Sequence, residues 1–183
     1  MPTASYVKVT SANEDLAESI NCGTDQWAIA LASSVPGSKV FTSGTTDLAT
    51  SGGYTAGGAN VSTTSSGMHG SDFVLVLADP ATWTASGGGF TFRYALLVNK
   101  TVTQGANGTV VAYWDYGSSQ VVAAGEQVVV DLDQTASTDF VKVLEPFNAH
   151  FPDTYQIVSY SDSNSAYLLN NGIEFIADYL EKV

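Results

Sequence analysis

Arginine and cysteine each occur once in this sequence, at Arg93 and Cys22, and histidine only twice, at His69 and His150. A single cysteine excludes an internal disulfide and a cysteine-based metal cluster, and a lone cysteine is usually a small buried hydrophobe. Two isolated histidines, with no HExxH pattern, supply no zinc site. Positive charge is scarce throughout: 6 basic side chains face 18 acidic ones, for a net charge of −12. Neutralising phosphates needs clustered Lys and Arg, so the composition excludes nucleic acid as a direct partner, and an anionic membrane surface with it. Long apolar runs are also missing. The stretch VLVLA at 74–78 is far too short to span a bilayer. The first twenty residues, MPTASYVKVTSANEDLAESI, have neither the basic nor the apolar region of a signal peptide. The expectation is synthesis in a cytoplasm without secretory export, which makes the glycosylation-like triplets at Asn60, Asn99 and Asn107 chance matches.

What is present is a neutral polar chain with a core. Hydrophobic residues make up 44% and charged ones 13%, against about 25% charged in an ordinary soluble domain. Ser, Thr, Gly and Ala fill the difference, a mixture suited to short strands and many turns. Charge is uneven: residues 1–125 carry 8 acidic and 4 basic side chains, and residues 126–183 carry 10 and 2. An acidic C-terminal third is ordinarily a solvated face, and could also dock on a basic patch.

Strand-like stretches recur between glycine-rich breaks: 4–9, 26–32, 52–63, 72–79, 82–85, 90–99, 109–116 and 126–132. A short helix is expected at 13–20, capped by Asn13. The run DFVLVLAD at 72–79 reads as buried on both faces. Asn107-Gly108 is a hairpin signal between two strands. The pattern predicts a mainly β, antiparallel β-sandwich over residues 1–133. Residues 134–183 form an acidic C-terminal extension ending in an α-helix. Asn171 caps that helix, Glu174 nearly completes a capping box, and Ile173, Ile176, Leu180 and Val183 share one face. Such a stripe is usually core packing. Its functional reading is docking on a neighbouring subunit through Ile176 and Leu180.

The stretch YWDYG at 113–117 raises the question of chemistry. Asp115 between aromatic rings could be a glycosidase carboxylate, but that reaction needs a second carboxylate across a cleft. The possible partners of Asp115, such as Asp131 or Glu126, lie at distances the sequence does not give. On a strand, Tyr113 and Asp115 face one way and Trp114 and Tyr116 the other, which divides the aromatic group between two faces. His69 lies in a Ser/Gly-rich stretch read as a loop. No nucleophile elbow accompanies either histidine. The acidic runs DLD at 131–133 and SDSNS at 161–165 match no EF-hand. The residues themselves point to no catalytic group, no cofactor and no metal.

Four blocks have a familiar order: DLAESINCGTDQWAIAL from residue 15, GGYTAGGA at 52–59, GGGFTFRYALLVN at 87–99 and YWDYGSSQVVAAGEQVVVD at 113–131. Over about residues 5–133 they resemble a family of small β-rich virion proteins of tailed, double-stranded DNA bacteriophages. The resemblance implies a structural part of the phage particle without enzymatic activity. It further implies a capsid decoration (cement) protein on the virion surface, bound to the outside of the major capsid protein shell and resisting the pressure of packaged DNA. By the same analogy it would be a homotrimer. The alternative is a tail, neck or fibre component, including a receptor- or glycan-binding module in which Tyr54, Trp83, Trp114 and Tyr116 stack on sugars. In the structural reading WDYG ends one strand and EQVVVDL returns antiparallel to it. Asp115 then sits at the corner, bonding nearby backbone or pairing with Arg93, while Gly117 and Gly125 loosen the turn.

Overall fold

A computed structural model describes residues 4–69, 72–104, 106–132 and 141–142. The chain is mainly β and its strands pair antiparallel. Strand β1 (Ser5–Lys8) leads through a 3-10 turn (Thr10–Ala12) into the short helix α1 (Asn13–Glu18). Then come β2 (Trp27–Ala32), β3 (Val40–Phe41), β4 (Ala59–Val61), β5 (Thr63–His69), β6 (Asp72–Leu77) and β7 (Trp83–Thr84). The long hairpin of β8 (Phe90–Asn99) and β9 (Gly108–Val122) follows, with β10 (Gln127–Val128) and β11 (Val141–Lys142) last.

The main sheet has the order β1-β9-β8-β2-β4, with β3 also on β9. At its centre, all six residues of β2 and residues 94–99 of β8 are buried. That explains their near-continuous apolar sequence, since a strand covered on both faces has no polar alternation to show. One face belongs to a large cluster containing Trp27, Ile29, Leu31, Leu97 and Val111. Leu75 and Leu77 of β6, Trp83 of β7 and Val128 of β10 join the same cluster. The other face, with Ala30, Ala32, Leu96 and Val98, packs with Val9, Ala12 and Phe41. Two smaller sheets accompany the main one, β10-β7 and β11-β6-β5. The pairing of Val141 with Leu75 and Lys142 with Val74 brings part of the expected extension into the β6 sheet.

The hairpin is not regular. Tyr94 faces Asp115 while Phe92 faces Gln120, so residues 116–119 of β9 stand opposite Arg93 alone. A second slip leaves Val111 without a partner between the pairs Leu97–Ala112 and Val98–Val110. Side-chain alternation changes phase across Arg93. Phe90 and Phe92 belong to the large cluster before it, and Ala95 and Leu97 after it. Four residues of β9 against one of β8 is an odd surplus, so pairing on both sides of the bulge requires one strand to change phase, and that strand is β8.

Several expectations are corrected. WDYG is not the end of a strand: β9 continues unbroken to Val122, and Asp115 is the last regular pair before the bulge. The returning segment is short and pairs with β7 rather than β9. The turn before it explains this: Ala85 N–H donates to the Glu126 carbonyl, and Gly125 N–H to the Ala85 carbonyl, both at 2.8 Å. These bonds carry the chain away from β9. Asn13 does not cap α1, because the preceding 3-10 turn makes Ala12 the cap position and places Asn13 inside. The segment 52–63 is not one strand: a turn closed by the Ser51–Tyr54 bridge and then a second turn precede β4, which begins at Ala59, while the Ser/Gly-rich stretch holding His69 is strand β5. The hairpin expected at Asn107-Gly108 is present as β8 and β9, and its link lies between Asn99 and Gly108.

Glycine clusters serve close backbone approach. A Cβ on Gly52 would lie 2.0 Å from the Gly89 carbonyl oxygen, and one on Gly89 would lie 2.1 Å from that of Val122. Both have positive φ, 59° and 71°. Only glycine meets both demands.

Candidate functional site

Asp115 and Arg93 form a two-pronged pair: Nε donates to Oδ1 at 2.8 Å and Nη2 to Oδ2 at 2.9 Å. Asp115 Oδ1 also accepts the Gly117 N–H at 2.7 Å. An aspartate bonded to backbone two residues on is a local turn former, and here it sets the first bend of the bulge. Gly117 takes φ 78° at that bend. The guanidinium lies 5.2 Å from the centroid of the Tyr94 ring, which meets Tyr113 edge-on. The Arg93 hydrogen bonds, aided by the Gly117 N–H, hold the Asp115 carboxyl below its usual range. Such a carboxylate is ionised and already bonded on both oxygens. It is unsuited to giving a proton to a leaving group.

The residues weighed as its partners lie elsewhere. Glu126 Oε2 accepts the Ala123 N–H at 2.8 Å, closing its own turn. Asp131 is exposed beyond β10. Among the described residues no group of His, Cys, Asp and Glu is arranged to hold a metal ion. Cys22 is buried, and burial with the nearby Asp25 charge pushes its thiol up to about 11. It stays protonated, the opposite of an activated nucleophile.

The aromatics divide. Tyr54 and Trp83 are buried at 1% and 7% exposure and belong to the large cluster. Trp114 and Tyr116 are half-buried against it. Trp114 packs on Tyr6 with centroids 5.5 Å apart, and Tyr116 meets Phe92 edge-on at 5.5 Å. Burial pushes the Tyr116 phenol up. The four rings do not form one exposed platform. Ile176, Leu180, His150 and the 161–165 run lie outside the described residues.

A buried carboxylate with as many hydrogen bonds as Asp115 is one the sequence reading passed over. Asp47 is buried at 6% exposure in the loop between β3 and β4. Its Oδ2 accepts the Tyr54 hydroxyl at 2.7 Å and the Gly57 N–H at 2.6 Å, and its Oδ1 accepts the Gly44 N–H at 2.6 Å. The Tyr54 oxygen in turn accepts the Leu31 N–H at 3.1 Å, tying the loop to β2. Burial, then the bond to Asp47, raises the Tyr54 phenol far above its ordinary range. Lys100 reaches the same loop, donating to the Gly57 carbonyl at 3.4 Å with its ammonium 4.6 Å from the Phe41 ring centroid. Burial lowers the Lys100 pKa. A second missed anchor is Asp15, which bonds Gln104 and pairs with Lys39 at 2.8 Å. A third is fully buried Asn99, which donates to Asp25 and accepts the N–H groups of Thr101 and Val102. The sequence signal for Asp47 was slight: an acidic residue seven positions before a tyrosine, in a Thr/Gly-rich stretch.

No family model, curated protein or solved structure matches the chain. Among the described residues no helix is long and apolar enough to cross a membrane.

Proposed function

We propose that this chain is a structural protein of a tailed, double-stranded DNA bacteriophage, without enzymatic activity. In this reading it is a capsid decoration protein, a β-sandwich body whose acidic C-terminal extension ends in a helix. It binds the outer surface of the major capsid protein shell as a homotrimer and opposes expansion under packaged DNA. The resemblance of the four sequence blocks suggests the particle. The observation that favours a structural role is the commitment of Asp115 and Arg93 to each other across the bulge. The residue best placed by sequence for chemistry is bound up in holding the hairpin. Burial of Tyr54 and Trp83 weighs in the same direction against the sugar-stacking alternative, while a tail or neck position remains its nearest rival.

The deciding experiment is a cryo-electron microscopy reconstruction of whole phage particles from cells that make the protein, with the chain sought in the density. Copies arrayed on the outer shell are expected. Copies confined to the neck, tail or fibres would replace the capsid assignment with the rival, and particles without the chain would remove the virion assignment altogether. Sedimentation of the purified chain at micromolar concentration addresses assembly, with a trimer mass expected.

A further inference from the structure

The pair Asn107-Gly108 does not make a two-residue turn and has no part in the proposed function, yet the fold holds both residues in place. Asn107 is exposed, and its Oδ1 accepts the Ser43 N–H at 3.0 Å. Its own N–H donates to the Phe41 carbonyl at 2.9 Å. A Cβ on Gly108 would stand 2.5 Å from the Asn99 carbonyl oxygen and 2.9 Å from Val98 Cγ1, so glycine is required there. Packing therefore sets an exposed side-chain carboxamide before a residue that carries no side chain of its own, although Gly108 itself is buried against β8.

We infer that Asn107 is a self-modification site, converted to aspartate and isoaspartate through ring closure by the Gly108 nitrogen. The Gly108 amide loses its proton to hydroxide and attacks Asn107 Cγ, forming a nitrogen–carbon bond. Negative charge develops on Oδ1, where the Ser43 N–H already donates, the arrangement that stabilises an oxyanion. The Cγ–Nδ2 bond then breaks and ammonia leaves, taking a proton from water. Water opens the resulting five-membered imide at either carbonyl, and nothing is oxidised or reduced. Both products add a negative charge. Isoaspartate also inserts a methylene into the main chain between two bonds that hold β3, Asn107 N–H to Phe41 O and Val110 N–H to Lys39 O. One added main-chain atom prevents both from keeping register, so the isoaspartyl form releases β3 and exposes Phe41, which is fully buried beforehand.

The test incubates the full folded chain in mildly alkaline buffer beside a synthetic peptide of residues 104–110, until half the peptide has converted. Trypsin releases a fragment from Thr101 to Lys142 in which Asn107 is the sole asparagine. The expected result is an amide-to-acid mass gain in that fragment equal to or greater than the peptide's. Enzymatic methyl labelling should detect isoaspartate, and amide exchange should be faster around Phe41. The gain should vanish in Asn107→Gln. A fragment that lags behind the free peptide overturns the inference. So does a gain that persists in the glutamine variant, because it then arises from another side chain.

Discussion

The loop between β3 and β4 and the bulge after Asp115 are both irregular excursions pinned by one carboxylate, in opposite surroundings. Asp47 is buried and accepts only neutral donors, a hydroxyl and two backbone N–H groups. Asp115 is partly exposed and shares its charge with Arg93. In the first region the Tyr54 hydroxyl is buried and depends on the carboxylate, while the Gly57 N–H is half-buried and Gly44 is exposed. In the second, water can replace either partner. The difference teaches that burial of the dependent donors, more than the presence of an ion pair, decides how much a carboxylate anchors.

The largest effect expected from this comparison is in Asp47→Ala. Loss of the acceptor strands the buried Tyr54 hydroxyl and the half-buried Gly57 N–H and unties the exposed turn at Gly44, for a cost of about 3 kcal/mol. Urea unfolding followed by tryptophan fluorescence measures it. Equal destabilisation by Asp115→Ala would break the comparison. Next comes Gly58→Ala at the end of the same loop. Its Cβ would lie 2.2 Å from the Ile29 carbonyl oxygen at φ +73°, and the strain should cost about 2 kcal/mol or more. The same unfolding assay reads it, and a neutral result would mean that the loop floats free of β2.

Tyr54→Phe should cost about 1–3 kcal/mol, since it removes one donor to Asp47 and the acceptor for Leu31 N–H. It also sharpens the pH dependence. Burial raises the Tyr54 phenol in the fold, so its neutral form is the native one. Its stabilising contribution is complete below the unfolded pKa of about 10 and is lost as pH rises beyond it. The Cys22 thiol, raised from 9.0 to about 11, acts in the same sense and loses its contribution between those values. Wild-type stability should therefore fall through the alkaline range, and less steeply in the phenylalanine variant. Thermal melts across that range check the slope.

The smallest effect belongs to Asp115→Ala. Its lowered pKa means that its contribution is present above the ordinary carboxylate range and fades as pH falls through the folded value. Stability should drop only modestly, with faster amide exchange at Gly117 as the local sign. No saccharide or ester hydrolysis should be lost, and a turnover that disappeared in this variant would overturn the structural assignment.

The sequence made the central strands legible because β2, β6 and β8 are buried runs whose apolar residues announce themselves. The Arg93–Asp115 pairing was also within reach, since a lone arginine and a turn-forming aspartate leave few alternatives. The bulge was not. Asp115-Tyr116-Gly117 reads equally as the end of a strand, and only the partner strand shows that β9 continues past it. Strand β5 was hidden because Thr-Thr-Ser-Ser-Gly has loop composition, and its extended form comes from pairing with β6. Asp47 went unnoticed because its importance depends on Tyr54, Gly44 and Gly57 converging, and single-residue propensity carries no trace of that convergence.

The contact joining Gly52, Gly89 and the Val122 carbonyl has a consequence for how such a chain can change over generations. Where side chains interlock, one apolar residue can replace another with a compensating neighbour, and a lineage drifts through many equivalent cores. Main chain lying directly on main chain offers no such exchange. Any side chain at Gly52 or Gly89 meets a carbonyl oxygen, and no substitution elsewhere can shrink that oxygen. With Gly58 and Gly108, which meet carbonyl oxygens in the same way, these glycines are fixed points of the fold.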